Sequence, residues 1–255
     1  MTDVALHVEA LGGAEHGETL VLGHSLGTSA ALWEEAAEIL RRRFRVIAWE
    51  VPGHGGAPPA REPFHVEDLT DALVPRLDEL GVAGFHYAGA SVGGCVGLDL
   101  ALRYAERVAS VAVVSSGARL ADPSVMLRRA AAVRSEGVAS LIPTFRSRWF
   151  AASTPVQTVD RLFAILRQAD QESYALTAEA LAAFDVWSRL PAVGSPLLAV
   201  AGAQDEVVPP EQSVELARRV PCGSTVVVPH AAHSVVVEQP RLVATALTDH
   251  LRRAR

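Results

Sequence analysis

Lysine is missing from this sequence: all 23 basic residues of the 255-residue chain are arginine. That excludes chemistry run through a lysine amine, Schiff bases and lysine-anchored cofactors included. Cysteine is scarce. Cys95 and Cys222 are too few for a disulfide framework and too scattered for a metal motif. Cys95 lies among apolar neighbours and is expected to be a buried, inert thiol. No stretch approaches about 18 uninterrupted apolar residues, so no membrane-spanning helix is expected. The first residues, Met1-Thr2-Asp3-Val4, hold no basic segment leading into an apolar run. A signal peptide is therefore not expected, and a cytoplasmic protein is. A net charge of −6 gives no basic surface for nucleic acid and no reason to invoke a membrane. No internal repeat or low-complexity tract stands out.

What is present is a large apolar fraction, 49%, enough for one domain with a deep core. Compact apolar runs at residues 17–22, 44–49, 85–88, 108–114, 196–201 and 225–228 read as strands, with an alternating edge strand at 4–9. Between them lie segments with apolar residues at helical spacing, at 29–43, 66–80, 92–104, 210–219 and 240–253. Nearly all-apolar strands alternating with helices indicate a mostly parallel sheet covered on both faces. The alternation stops from about residue 122 to 187, where the pattern is helical throughout. The expected organisation is an α/β core (1–118), an all-helical lid (119–189) and the rest of the core (190–255).

Chemistry concentrates after the strands. Gly89-Ala90-Ser91-Val92-Gly93 is a Gly-x-Ser-x-Gly turn between a strand and a helix, the context of a nucleophile elbow. A serine at such an apex adopts a strained backbone, so residues two positions away must be small. Serine alone is a weak nucleophile and needs a base. His233, in the loop after residues 225–228, is the candidate, with His230 more plausibly bracing that loop. Asp205, in the loop after residues 196–201, would hold the imidazole in the right tautomer. Glu206 adjoins it, but the Gly202-x-x-Asp205 step favours the aspartate. Backbone N–H donors for a developing oxyanion are expected at Val92 and at Ser25, with Leu26 as the alternative to Ser25. His54 reads as a structural loop histidine. The His230-x-x-His233 spacing lacks further ligands for a metal, and no cofactor is expected.

With these residues assembled, the chain resembles the α/β hydrolase superfamily over nearly its full length. Within it the chain is most similar to 3-oxoadipate enol-lactonases. The shared core phrases are Ser25-Leu26-Gly27-Thr28 with Trp33 downstream, Pro52-Gly53-His54-Gly55 and the Ser91 turn. In the lid they are Ala132-Val133-Arg134 with Gly137, Arg148-Trp149-Phe150 and Glu172-Ser173-Tyr174-Ala175. Those enzymes usually carry Asp at the position of Glu50, Arg at Pro52 and a smaller residue at His24. The resemblance implies an α/β-hydrolase fold and cofactor-independent hydrolysis of a small ester or lactone through an acyl-enzyme, the leading substrate being a carboxylate-bearing enol-lactone. The same triad also serves carboxylesterases, thioesterases, perhydrolases and lyases, and a hydrolase-fold binding protein could keep it with little turnover. Between residues 123 and 168 there are seven arginines and two acids, a basic lid suited to an anionic substrate. Arg134 and Arg148 are the expected anion contacts and Trp149 an apolar wall. Oligomeric state is not legible.

Overall fold

The structure, a computed structural model, describes residues 4–14 and 17–254. The reading of a missing leader at residues 1–3 falls outside them. Among the described residues, one sheet holds seven strands: β1 (His7–Gly13), β2 (Thr19–Gly23), β3 (Arg45–Glu50), β4 (Phe85–Ala90), β5 (Val108–Val114), β6 (Leu197–Gly202) and β7 (Gly223–Val228). Their order is β1-β3-β2-β4-β5-β6-β7, all neighbours parallel except β1 with β3. Every residue of β4 and β6 is buried, as expected of strands covered on both faces.

Three helices serve the first half of the sheet: α1 (Glu34–Leu40), α2 (Val66–Glu79) and α3 (Val92–Arg103). Four more stand between β5 and β6: α4 (Pro123–Glu136), α5 (Ile142–Trp149), α6 (Val156–Leu166) and α7 (Gln171–Ala183). The chain closes with α8 (Pro210–Arg219), α9 (Val235–Glu238) and α10 (Pro240–Arg253). Helix α1 packs against α10, and α2 against α3. Right-handed crossovers send these two pairs to opposite faces.

The local structure departs from the sequence pattern at three places. The helix expected over 29–43 begins as a 3-10 turn, Ala30–Trp33, before α1. There the Glu50 carboxylate takes the Ala30 N–H at 2.9 Å, and the Trp33 indole N–H donates to the Gly23 carbonyl at 2.9 Å. These tertiary bonds fix the entry and override a regular first turn. The edge strand runs later than 4–9, with a register shift between Ala10 and Gly12. Helix α9, only four residues long, is too short to carry a readable periodicity.

The inserted helices have the caps their sequence calls for. Asp122 accepts from the Ser124 N–H at the start of α4, and Asp170 from the Ser173 N–H at the start of α7, both at 2.9 Å. Helices α4 and α7 pack together. Asp170 also ties the insertion to the loop after β3, its N–H donating to the Gly53 carbonyl at 2.8 Å and its carboxylate pairing with Arg61 at 2.9 Å. Among the described residues, no helix is long and apolar enough to cross a membrane.

Candidate active site

The strand order brings four loops together at the C-terminal edge of the sheet. β2 and β4 are neighbours, with Gly23 opposite Gly89, so the 24–28 loop lies beside the Ser91 turn. β6 and β7 are neighbours, with Gly202 opposite Val228, so the loops after them, carrying Asp205 and His233, also meet. Open α/β sheets place their ligand crevices at such an edge.

Ser91 has φ 52 and ψ −114, a left-handed conformation that costs a non-glycine residue about 1–3 kcal/mol. Its surroundings leave no alternative. A Cβ on Gly89 would lie 2.1 Å from the Gly93 carbonyl oxygen, and one on Gly93 would lie 2.6 Å from the Gly23 backbone. The turn is also pinned by hydrogen bonds. Ser91 N–H donates to the Val114 carbonyl at 3.0 Å, and the Ser91 carbonyl accepts the Ser116 hydroxyl at 2.6 Å. The Tyr87 hydroxyl donates to the Gly93 carbonyl at 2.8 Å while accepting from the Trp49 indole at 3.1 Å. Cys95, one turn into α3, is buried, and burial pushes its thiol up to about 12. A protonated, enclosed thiol offers no competing nucleophile.

Asp205 and His233 meet directly: His233 Nδ1 lies 2.9 Å from Asp205 Oδ2. The other carboxylate oxygen accepts from the N–H groups of Val207 and Val208 at 2.8 and 2.9 Å, so the buried acid is oriented by its own loop. Glu206 points outward and is exposed. Gly202 permits the approach of the two loops, since a Cβ there would lie 2.1 Å from the Ala232 carbonyl oxygen. His230 does not brace the loop through its ring. Its side chain is exposed and its backbone, at φ 55, makes the turn.

The 24–28 loop is held from beneath by two buried histidines. His24 Nε2 accepts from the Val51 N–H at 3.0 Å, which leaves the proton on Nδ1, 2.8 Å from the Ser25 carbonyl. His54 Nε2 accepts from the Gly27 N–H at 3.1 Å, and its Nδ1 faces the Pro52 carbonyl at 2.9 Å. Burial lowers both pKa values to about 4, so both rings are neutral acceptors at ordinary pH. The Ser25 carbonyl additionally takes the Thr28 N–H at 3.0 Å and the Thr28 hydroxyl at 2.7 Å. Across a planar trans peptide the N–H points opposite to the carbonyl. With the Ser25 carbonyl turned inward, the Leu26 N–H is turned away from those partners.

Ser25, Leu26, Ser91, Trp149 and His233 line one cavity, together with Met126 and Arg129 of α4, Leu162 of α6 and Leu181 of α7. The inserted helices thus form its outer wall. The space is narrow, a cavity of about 20 Å³. The Trp149 ring lies stacked on Phe145 at 4.1 Å and 6.4 Å from the His233 ring. The two arginines expected as anion contacts are engaged elsewhere. Arg134 pairs with Glu172 and Glu179 of α7, and Arg148 donates to the Glu206 carbonyl at 2.9 Å; neither lines the cavity. Arg146 pairs with Asp160 and Arg161 with Glu34. The basic excess counted over 123–168 also shrinks once α7 is included, to nine arginines against seven acids over 119–189. Arg129, which the sequence reading passed over, is the arginine that lines the cavity. Its guanidinium lies 5.1 Å from the Phe145 ring centre, and among the described residues it has no carboxylate partner. Its position three residues after Met126 and next to Ala130, both buried, was the available signal.

A mostly parallel sheet with a strained serine after its central strand, an Asp–His pair after its last two and a helical wall over all three defines the α/β hydrolase class. The chain belongs to the α/β hydrolase fold family, whose model matches residues 18–240. It is 30% identical over 254 residues to 3-oxoadipate enol-lactonase 2 of Acinetobacter baylyi, covering 98% of this chain and 94% of that protein. The crystal structure of the enol-lactonase from Burkholderia xenovorans LB400 superposes with a TM-score of 0.91 at 30% identity, covering 97% of this chain and 96% of that one. A thermophilic esterase from Thermogutta terrifontis superposes with a TM-score of 0.92 at 28% identity, covering 98% and 93%.

Two outcomes follow from the geometry. Gly93→Ala should lower the unfolding free energy by about 1–3 kcal/mol or more, because the added methyl meets backbone; an unchanged urea midpoint would contradict the crowding. The histidines set a pH dependence. Their folded pKa near 4 lies below the unfolded value near 6.5, so the unfolded chain takes up protons first as pH falls. Stability should be full above pH 6.5 and decline down to about pH 4, by up to about 3 kcal/mol per histidine. Urea unfolding between pH 7.5 and 4.5 measures this, and a flat profile would count against neutral His24 and His54.

Proposed function

We propose that this protein is a serine hydrolase acting on a small, anionic ester or lactone, with an enol-lactone carrying a carboxylate as the leading substrate. The observation that carries the reading is the convergence of Ser91 and the Asp205-bonded His233 on one cavity whose outer wall presents Arg129. Asp205 fixes the proton on His233 Nδ1, leaving Nε2 as the base. That nitrogen takes the Ser91 hydroxyl proton as the oxygen attacks the substrate carbonyl. The tetrahedral oxyanion is stabilised by the N–H of Val92 and by that of Leu26, which the inward-facing Ser25 carbonyl favours over the Ser25 N–H. Collapse expels the alkoxide or enolate, which takes the proton from His233. Water, activated by the same imidazole, then cleaves the acyl-enzyme. In a lactone the leaving group stays tethered to the acyl chain, so one product leaves.

The helices between β5 and β6 serve as the lid in this reading. Arg129 supplies a positive charge near apolar walls, where a charge-assisted hydrogen bond to a substrate carboxylate is worth about 1.5–3 kcal/mol. Arg134 holds α4 to α7, and the family likeness supports a lactone or ester as the substrate class.

Ser91→Ala should abolish turnover of any accepted lactone or ester while leaving the thermal midpoint near that of the wild type; full residual activity would refute the assignment. The two arginines give a sharper contrast. Arg129→Met should lower kcat/KM about ten- to a hundred-fold for carboxylated substrates, and little for neutral esters of the same size. Arg134→Ala should leave both kinetic values unchanged and cost under about 1 kcal/mol of stability, as exposed ion pairs do. Equal losses on charged and neutral substrates in Arg129→Met would remove the carboxylate from the proposal.

A further inference from the structure

Glu238 ends α9, five positions after His233, and its carboxylate has no part in the steps above. Its Oε1 accepts from the Ala151 N–H at 2.7 Å and from the Thr154 hydroxyl at 2.6 Å. Its Oε2 accepts from the Ala232 N–H at 2.8 Å. Ala151 and Thr154 belong to the turn between α5 and α6, within the inserted helices and more than eighty residues away in sequence. Ala232 immediately precedes His233. On the other side of that histidine, the Ser234 N–H donates to the Trp149 carbonyl at 2.8 Å. Both peptide neighbours of His233 are therefore tied to one short segment, 149–154, and one of the two ties passes through a single side chain.

A carboxylate suits this task. It is purely an acceptor with about four lone-pair sites, and here three donors from two separate loops converge on its two oxygens. Neutral N–H and O–H groups solvate it, without an ion pair among the described residues. Hydrogen bonds to an ionised acceptor are roughly twice as strong as neutral ones, so the junction is stiff where a serine or amide would be soft.

We propose that Glu238 is a positioning residue that makes the docking of segment 149–154 and the orientation of His233 one equilibrium. The inference rests on the reading of His233 as the base. The imidazole reaches its working orientation when the wall of the cavity, Trp149 included, is seated. A loosened wall carries the base out of line with Ser91, which limits turnover to the closed, water-excluded cavity.

Glu238→Gln tests this in the full-length protein. An amide can accept on one side only, and it turns an N–H toward the donors on the other. The variant should fold, lose kcat about ten-fold or more with KM within about two-fold, and show faster amide exchange in both 149–154 and 231–234. A merely structural pin would lower the thermal midpoint and leave kcat alone. Should Glu238→Gln fail to fold, Thr154→Val decides. Among the described residues the Thr154 hydroxyl bonds only Glu238, yet coupling requires its loss to speed exchange at 231–234 as well as at 151–154. Exchange confined to 151–154, or an unchanged kcat in folded Glu238→Gln, overturns the proposal. Exchange is read without turnover, so a wild-type protein that hydrolysed nothing would defeat the base assignment separately from the coupling.

Discussion

The structure depends on the close approach of backbones beneath Ser91. The serine can hold a positive φ only because Gly89 and Gly93 are stripped of side chains and because Gly23, on the neighbouring strand, almost touches Gly93. That contact aligns β2 with β4, and with them the 24–28 loop with the Ser91 turn. The Tyr87 hydroxyl donates to the Gly93 carbonyl from within the core and is itself held by the Trp49 indole N–H. Strain of about 1–3 kcal/mol is retained because so many contacts over-determine it. The same device recurs at Gly202, where the absent side chain lets the Asp205 loop meet the His233 loop.

Two buried histidines form the second tier of this support. His24 and His54 are hydrogen-bond acceptors for backbone N–H groups that no nearby carbonyl reaches. A neutral imidazole does this with one nitrogen while donating through the other, which links the 24–28 loop to the 51–54 loop. The inserted helices then lean on that second loop: Asp170 bonds Gly53, and the Tyr174 ring stacks on His54 at 6.2 Å. Serine turn, 24–28 loop and helical wall are thus mechanically continuous, so rearrangement in one is felt in the others.

Much of this was legible in the sequence because it is written in local patterns. The buried strands read as apolar runs, and the Gly-x-Ser-x-Gly turn announces its own crowding. Asp205 and His233 follow strands whose adjacency the alternation implies. The partners of the arginines were not legible, because a helix face does not reveal what meets it. Arg134 is neutralised by Glu172 and Glu179, about forty residues later, beyond the stretch over which charge was counted. Arg129 is distinguished by the rotation of α4 and by Phe145 on another helix. Glu238 was invisible for the same reason, since its partners at Ala151 and Thr154 come from across the molecule. The phrases in the inserted helices that gave the family likeness prove to hold those helices in place: Arg134, Glu172, Ser173 and Tyr174 all make such contacts.

The central claim is that Ser91 is an activated nucleophile, and covalent capture tests it most directly. Intact-mass and peptide analysis after exposure to a fluorophosphonate should find one adduct per chain, on Ser91, formed rapidly at neutral pH and absent from Ser91→Ala. A folded wild-type protein that takes up no label, or takes it up at another residue, would contradict the assignment.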